Sequence, residues 1–358
     1  MKIPNRSRRL AATLAGLAAV SVLAAGCAGS SDSEPAASGS SAALSGQVVW
    51  ADYGGPTNES RQVAYFDSFI DETGVDVVST SIEDSVYKSE LKGEAGDYDV
   101  FQAGISDILP SLDNLATVPE DAQGSLLPEN VRPYYMGGFV FGIAQGWLTS
   151  TFPNGGPQNW ADFFDTTKFP GKRAWPGDPG SYDSSYEIAL LADGVKPADL
   201  YPLDIPRAEK KLNTIRDSLV FYQSYPETQQ LLTSGSAAIA VTVTGQFRAL
   251  QNAGQDVTVQ WNQAFAIPSG FVSPKSSKNP DAVAALAAWM NDPARQAVFT
   301  QRTGYGPVNP AVFDELPADV KSQVVNAPDH TNLLSYGEEW RAENADLLLN
   351  SYTAWLAG

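Results

Sequence analysis

Between Gly46 and Gly104 the sequence alternates in character: "GQVVWADYGG" (46–55), a helical stretch, "VDVVST" (75–80), a helical turn, then "DYDVFQAG" (97–104). The first run is β-branched and ends in paired glycines. Pro56-Thr57-Asn58 opens a helix in which Val63, Phe66, Phe69 and Ile70 return at helical spacing until Gly74 stops it. Strand, helix, strand, helix, strand predicts a parallel sheet joined by right-handed crossovers, and so an α/β fold.

A second region of the same kind starts near Trp147. It holds "NWADFFDTTKFPGKRAW", the helix "YEIALLADG" (186–194), and an amphipathic helix with Ala208, Leu212, Ile215 and Leu219 spaced four, three and four. "SGSAAIAVTVTG" (234–245) is a near-continuous apolar run of small and β-branched residues, as in a strand covered on both faces. Asn279-Pro280 and Asp292-Pro293 each set a capping side chain before a proline at the first helical position. Val283, Leu286, Ala287 and Met290 form a stripe on the first of these helices, and Gly304 closes the second. The C-terminal stretch reads as short helices with Trp340 and Trp355 on apolar faces, and no internal repeat is present. These elements fit two lobes or one large doubly wound domain equally.

The start of the chain has a different purpose. Lys2, Arg6, Arg8 and Arg9 precede an uncharged run from Leu10 to Ala25, the layout of a secretory signal. The one cysteine, Cys27, follows "LAAG", so no disulfide can form within the chain. Leu23-Ala24-Ala25-Gly26-Cys27 resembles the bacterial lipoprotein signal. That resemblance implies cleavage after residue 26, a diacylated Cys27 and a lipid anchor on the outer face of the cell membrane (or the periplasmic side of a membrane). Each buried CH2 of an acyl chain contributes about 0.8 kcal/mol, so two chains hold durably where one holds reversibly. Residues 27–46 are rich in Ser, Ala and Gly and read as a disordered tether.

Charge removes one class of partner. The chain carries 23 Lys and Arg against 41 Asp and Glu; loss of the four signal-peptide bases takes the net charge from −18 to −22. Nucleic-acid binding needs clustered Lys and Arg, so it is excluded as a role. The acidic balance suits solubility and is compatible with a cationic ligand. Catalysis lacks its parts: His330 in "APDHTN" is the one histidine, and no G-x-S-x-G nucleophile motif is present. One His and one acylated Cys cannot make a metal cluster, and no cofactor is expected. A glycosidase-type carboxylate pair stays open among so many acids. Tyr134-Tyr135 could suggest ferric-ion ligation, but their place before "MGGFVFG" favours packing.

Five segments in order, "VVWADYGGPTNESRQVAYFDSFIDETGVDV", "GDYDVFQAG", "NWADFFDTTKFPGKRA", "LADGVKPADLYPLDIPRAEKKL" and "QRTGYGPVNPAVFDELP", together resemble the extracellular solute-binding proteins of ABC importers, in particular the spermidine/putrescine-binding family. The resemblance covers about residues 47–355. It implies a two-lobed periplasmic-binding-protein-like (type II) fold, each lobe a mainly parallel sheet flanked by helices, with a ligand cleft between them. Lobe 1 would comprise 47–145 and 264–308, and lobe 2 residues 146–263 and 309–358 with the C-terminal helices. The implied partners are a small solute, a membrane permease and its ATPase; the chain is expected to act as a monomer. A non-transport sensor or adhesin on the same scaffold is the competing class.

The polyamine-binding family holds ammonium groups with carboxylates and lays the methylene stem between rings. Its first-strand motif corresponds here to Trp50 and Tyr53, with Asp52 beside them, and its Gly-Tyr-Pro-Asn-like motif to Tyr305. In "WPGDPGSYDSSYE" the family's acids correspond best to Asp178, with Tyr182, Asp183 and Glu187 as neighbouring candidates. The sequence also departs from the family. Ser106 stands where a ring is expected after the third strand, Val243 replaces a tryptophan, and Ile267 and Ser269 fall on a Trp-x-Asp. A polyamine is therefore only one of three ligand classes left open. An anion could sit at the free N–H groups of "YGGPTNES", although Asp52 would oppose it, and a sugar could stack on Trp and Tyr.

Overall fold

Alternation of apolar residues makes β1 (Gln47–Asp52), whose Val48 and Trp50 are buried, and the computed structural model, which describes residues 44–94, 96–181 and 184–358, builds one compact unit around it. The signal, Cys27 and the tether up to residue 43 lie outside the described residues, as do Tyr182 and Asp183. The other strands are β2 (Asp76–Ser81), β3 (Val100–Gly104), β4 (Met136–Leu148), β5 (Arg173–Pro176), β6 (Leu219–Tyr222), β7 (Ile239–Val243), β8 (Val257–Val272) and β9 (Gly306–Pro307).

These strands join in one sheet, in the order β2-β1-β3-β8-β4-β7-β5-β6, with β9 on β4. At one end β1 runs parallel to β2 and β3; at the other, β5 runs parallel to β6 and β7. The expected parallel strands are thus present in each half. The sequence reading omitted what connects them: β4 and β8, 13 and 16 residues long, form an antiparallel ribbon through the middle. At about 3.3 Å per residue each strand is long enough to serve both halves. Met136–Phe141 pairs with 267–271, whereas 145–148 pairs with 257–260. Between them the register shifts, and Gln263 takes φ 62°, the one positive φ outside glycine among the described residues. Its strained backbone is held at both ends: its N–H donates to Asn332 O at 2.9 Å and its carbonyl accepts from Trp160 Nε1 at 2.9 Å.

Side chains pack on both ends of this sheet. Trp50, Phe66, Phe69, Phe271, Leu286 and Met290 centre one core; Trp160, Phe163, Trp175, Leu212, Tyr352 and Trp355 centre another. Val283, Leu286, Ala287 and Met290 are all buried, as the stripe predicts, and Asp292 caps its helix through Arg295 N at 3.0 Å. Asn279 does not cap. Its Nδ2 donates to Asp99 instead, at 3.3 Å. Leu219 is a second correction: the helix stops at Asn213 and Leu219 begins β6.

The first helix changes phase along its length. Gly55–Arg61 is α-helical, Gln62–Phe66 is a π turn, and Asp67–Thr73 is α-helical again. The wider turn carries an extra residue, so Val63, predicted to be buried, is 51% exposed while Arg61, Ala64, Tyr65 and Phe66 face inward.

The C-terminal segment straps the ribbon. Leu334 exchanges backbone hydrogen bonds with Ala264 and Ala266, and helix Ala345–Ala357 delivers Leu348, Tyr352 and Trp355 to the second core. Helix Glu338–Glu343 reaches the other half and packs on helix Ile105–Ile108. There Glu338 faces the Ser106 N–H. Burial pushes its pKa up to about 7, Asp107 and Glu339 add to the shift, and Arg341 works against it. Between pH 4.5 and about 7 the folded chain keeps a proton on Glu338 that the unfolded chain has released, so this group's contribution to stability declines as pH rises through that window. Glu338→Gln stays neutral throughout. Its melting temperature should match wild type near pH 4.5, exceed it increasingly up to about pH 7 and hold that margin above; a pH-independent difference between the two proteins would count against this account.

Candidate ligand site

The end of β1 builds the site. Gly54 and Gly55 hold φ of 70° and 64°, a left-handed pair that turns the chain sharply before Pro56 starts the helix. Asp52 lies beneath this turn, 1% exposed. Its carboxylate accepts from Gly54 N at 2.7 Å, Arg61 Nη1 at 2.8 Å, Asn58 Nδ2 at 2.9 Å and Trp50 Nε1 at 3.3 Å. Every donor here comes from the strand end or the first helical turns. Asp52 therefore spends its charge on Arg61 and on the turn.

Arg61 is the candidate site residue the sequence reading missed. It is the one basic residue between Leu44 and Lys88, nine positions after Asp52, and that isolation was the available signal. Its guanidinium is 1% exposed and lies over the Phe271 ring at 4.5 Å, with Phe299 and Phe139 at 5.5 and 5.8 Å. Burial presses its pKa below the ordinary value and Asp52 counteracts that. Nη1 is satisfied by Asp52. Nη2 has no hydrogen-bond partner among the described residues. A buried donor left unmade costs about 1–3 kcal/mol, more on a charged group, so Nη2 has capacity for a further acceptor.

Arg61 is among the residues that line a cavity of about 400 Å³. Thr57, Phe139 and Tyr305 line it with Arg61, as do Tyr225, Val243 and Gln246. Tyr305 stacks on Phe139 with ring centroids 5.2 Å apart; burial raises its phenol pKa and Arg61 opposes the rise. Arg61 is the one charged side chain among the described residues that line the cavity. The arrangement offers a fixed cation, aromatic faces and amides, which suits a small solute with an anionic end.

The predicted residues separate on this geometry. Tyr305 lines the cavity and Tyr53 stands at its mouth, 74% exposed. Trp50 is a correction: it is fully buried, 4.1 Å from the Phe271 ring and 5.1 Å from Phe66, and packs the core. Asp52 is another, since its oxygens are engaged within the protein. Ser106 sits at the Glu338 contact, and Asp178 is half-buried in the loop after β5; neither lines the cavity. Glu187 is buried and accepts from Tyr201 Oη at 2.7 Å and from Arg341. Val243 lines the cavity, whereas Ile267 and Ser269 are buried along β8. Tyr135 packs with its hydroxyl on Ala103 O at 3.0 Å, and His330 stacks on Trp261 at 4.7 Å.

Removing the charge of Asp52 leaves Arg61 buried without its counter-ion. Asp52→Asn should lower unfolding free energy by about 3–5 kcal/mol, read from urea denaturation. A stability loss under about 1 kcal/mol would contradict a pair role.

Comparisons with known proteins agree with this architecture. Residues 64–328 match the bacterial extracellular solute-binding protein family. A gamma-aminobutyric acid-binding protein of Pseudomonas aeruginosa is 25% identical over 320 residues, 85% of this chain and 89% of that protein. The solved Atu4243 GABA receptor shares 28% identity with a TM-score of 0.77, covering 87% of this chain and 97% of its own. The spermidine/putrescine-binding protein of Streptococcus pneumoniae is more distant, at 17% identity and a TM-score of 0.66 over 87% of this chain and 99% of its own, a likeness of fold alone. The polyamine branch named from sequence is thereby replaced by the broader family. With its family match, its mixed curled sheet and its solute-sized cavity, the chain belongs to the bacterial extracellular solute-binding proteins, which capture small ligands for ABC transporters.

Proposed function

We propose that this solute-binding protein captures a small carboxylate-bearing solute, its anionic end on Arg61 Nη2, and hands it to an ABC permease and its ATPase. The observation that carries the reading is the buried guanidinium with one unpartnered nitrogen beside a cavity with no carboxylate among its described lining residues. A polyamine would meet a like charge there. Two relatives at 25% and 28% identity are named for γ-aminobutyrate, whose carboxylate suits Arg61 and whose ammonium suits the aromatic faces of the cavity. The anion alternative read from "YGGPTNES" thus becomes the preferred one. Asp52 does not oppose it, because Arg61 already neutralises Asp52.

The two-lobe division belongs to the same proposal. The boundaries near residues 145 and 263 fall at the register shift of β4 and β8 and at Gln263, where bending disturbs the fewest ladder bonds. Closing the halves over a solute desolvates it and strengthens its contact with Arg61. The chain acts as a monomer without catalysis, moored by lipid on Cys27. The basic flank, apolar run and small residues before that cysteine support the anchor. Cys27→Ser should move the protein from the detergent phase to the aqueous phase in Triton X-114 partition; unchanged partition would argue against lipidation.

Ligand class is settled by calorimetry with γ-aminobutyrate, putrescine and spermidine. The acid should bind and the amines should not. Ligand at 100 times Kd should add about 2.7 kcal/mol of stability. Arg61→Lys keeps the charge paired to Asp52 but loses the second nitrogen, and should weaken acid binding by about 10- to 100-fold. Tight amine binding that Arg61→Lys leaves untouched would reverse the assignment.

A further inference from the structure

The cavity at Arg61 has a neighbour. Tyr305, whose phenol meets the Thr57 hydroxyl, also lines a second cavity of about 460 Å³, and Thr57 and Gln246 line both as well. Gly245 packs closely here: a Cβ on it would come within 3.0 Å of the Tyr305 ring and 3.2 Å of Thr303 O, so a side chain there would crowd the ring.

The second cavity has different chemistry from the first. Its walls carry Gln229, Gln246 and Asn252, with Gln229 Nε2 donating to Gln246 Oε1 at 2.6 Å. Its charged lining residues are Arg302 and Glu59, and both are exposed. Carboxamides present donors and acceptors together without net charge, the set that recognises hydroxyls and amides. Each cavity alone falls within the range of small-molecule sites, and Gln229 and Asn252 line the second cavity but not the one that holds Arg61.

We propose that the site is bipartite and that the transported solute is a carboxylate extended by an uncharged hydroxyl- or amide-bearing chain, the acid on Arg61 and the chain among Gln229, Gln246 and Asn252. This rests on the acid reading of Arg61 and sharpens it.

The test is a matched pair of probes in calorimetry: γ-aminobutyrate, and the same acid acylated on nitrogen by gluconic acid. The extended acid should bind at least about tenfold more tightly. Asn252→Ala, an exposed position that lines the second cavity and not the first, should weaken the extended acid by about fivefold or more and leave γ-aminobutyrate within about twofold, at an unchanged melting temperature. If γ-aminobutyrate binds and Arg61→Lys weakens it, while the extended acid gains nothing and Asn252→Ala is silent, the bipartite site is wrong and the acid site stands. If neither acid binds, both fall.

Discussion

The pairing of Asp52 with Arg61 organises the first half of this protein. A carboxylate at the end of a strand and a guanidinium two helical turns later are both withdrawn from water, at a desolvation cost that only close pairing offsets. To bring them together the chain must turn at once, hence two consecutive glycines in the left-handed region. Arg61 must also face the sheet, and the π turn that follows lets Ala64, Tyr65 and Phe66 continue on the inner face after it. The Phe271 and Phe299 rings then hold the guanidinium in one orientation. A rigid cation with a single unsatisfied nitrogen is better suited to recognition than a mobile lysine, because little freedom is lost when its partner arrives.

The β4–β8 ribbon provides a different kind of constraint. Because both strands run continuously from one half to the other, the halves share backbone hydrogen bonds and cannot separate as independent bodies. The closure proposed above would bend the ribbon where pairing is already irregular, around Ala144 and Gln263, with the C-terminal segment bound alongside. The Glu338 contact with Ser106 adds a point of touch between the halves away from the ribbon.

Global charge and local charge point in opposite directions. A chain of net charge −18 suggests a cationic ligand, yet the described residues around the cavity contribute one charge, and it is positive. The two are compatible because surface carboxylates beyond about 8 Å are screened by salt, while a desolvated guanidinium in a cleft is screened much less.

Much of the architecture was readable from periodicity. The parallel strands β1, β2 and β3, the buried strand β7, and the helices opened by Asn279-Pro280 and Asp292-Pro293 all follow from spacing and from glycine and proline placement, which act over a few residues. The failures share a cause. Val63 and Leu219 obeyed a local period that a π turn and a strand start overrode, and β4 and β8 were hidden because strands serving two halves show no single alternating face. Of the residues the resemblance named, Tyr53 and Tyr305 line the cavity, whereas Asp52, expected on the ligand, is turned to Arg61. Nothing local distinguishes a carboxylate that faces a solute from one that faces an arginine nine residues away. That choice, and the free nitrogen it leaves on Arg61, was made when the helix packed Arg61 against Phe271, a contact across 210 residues of chain that only the folded sheet brings into reach.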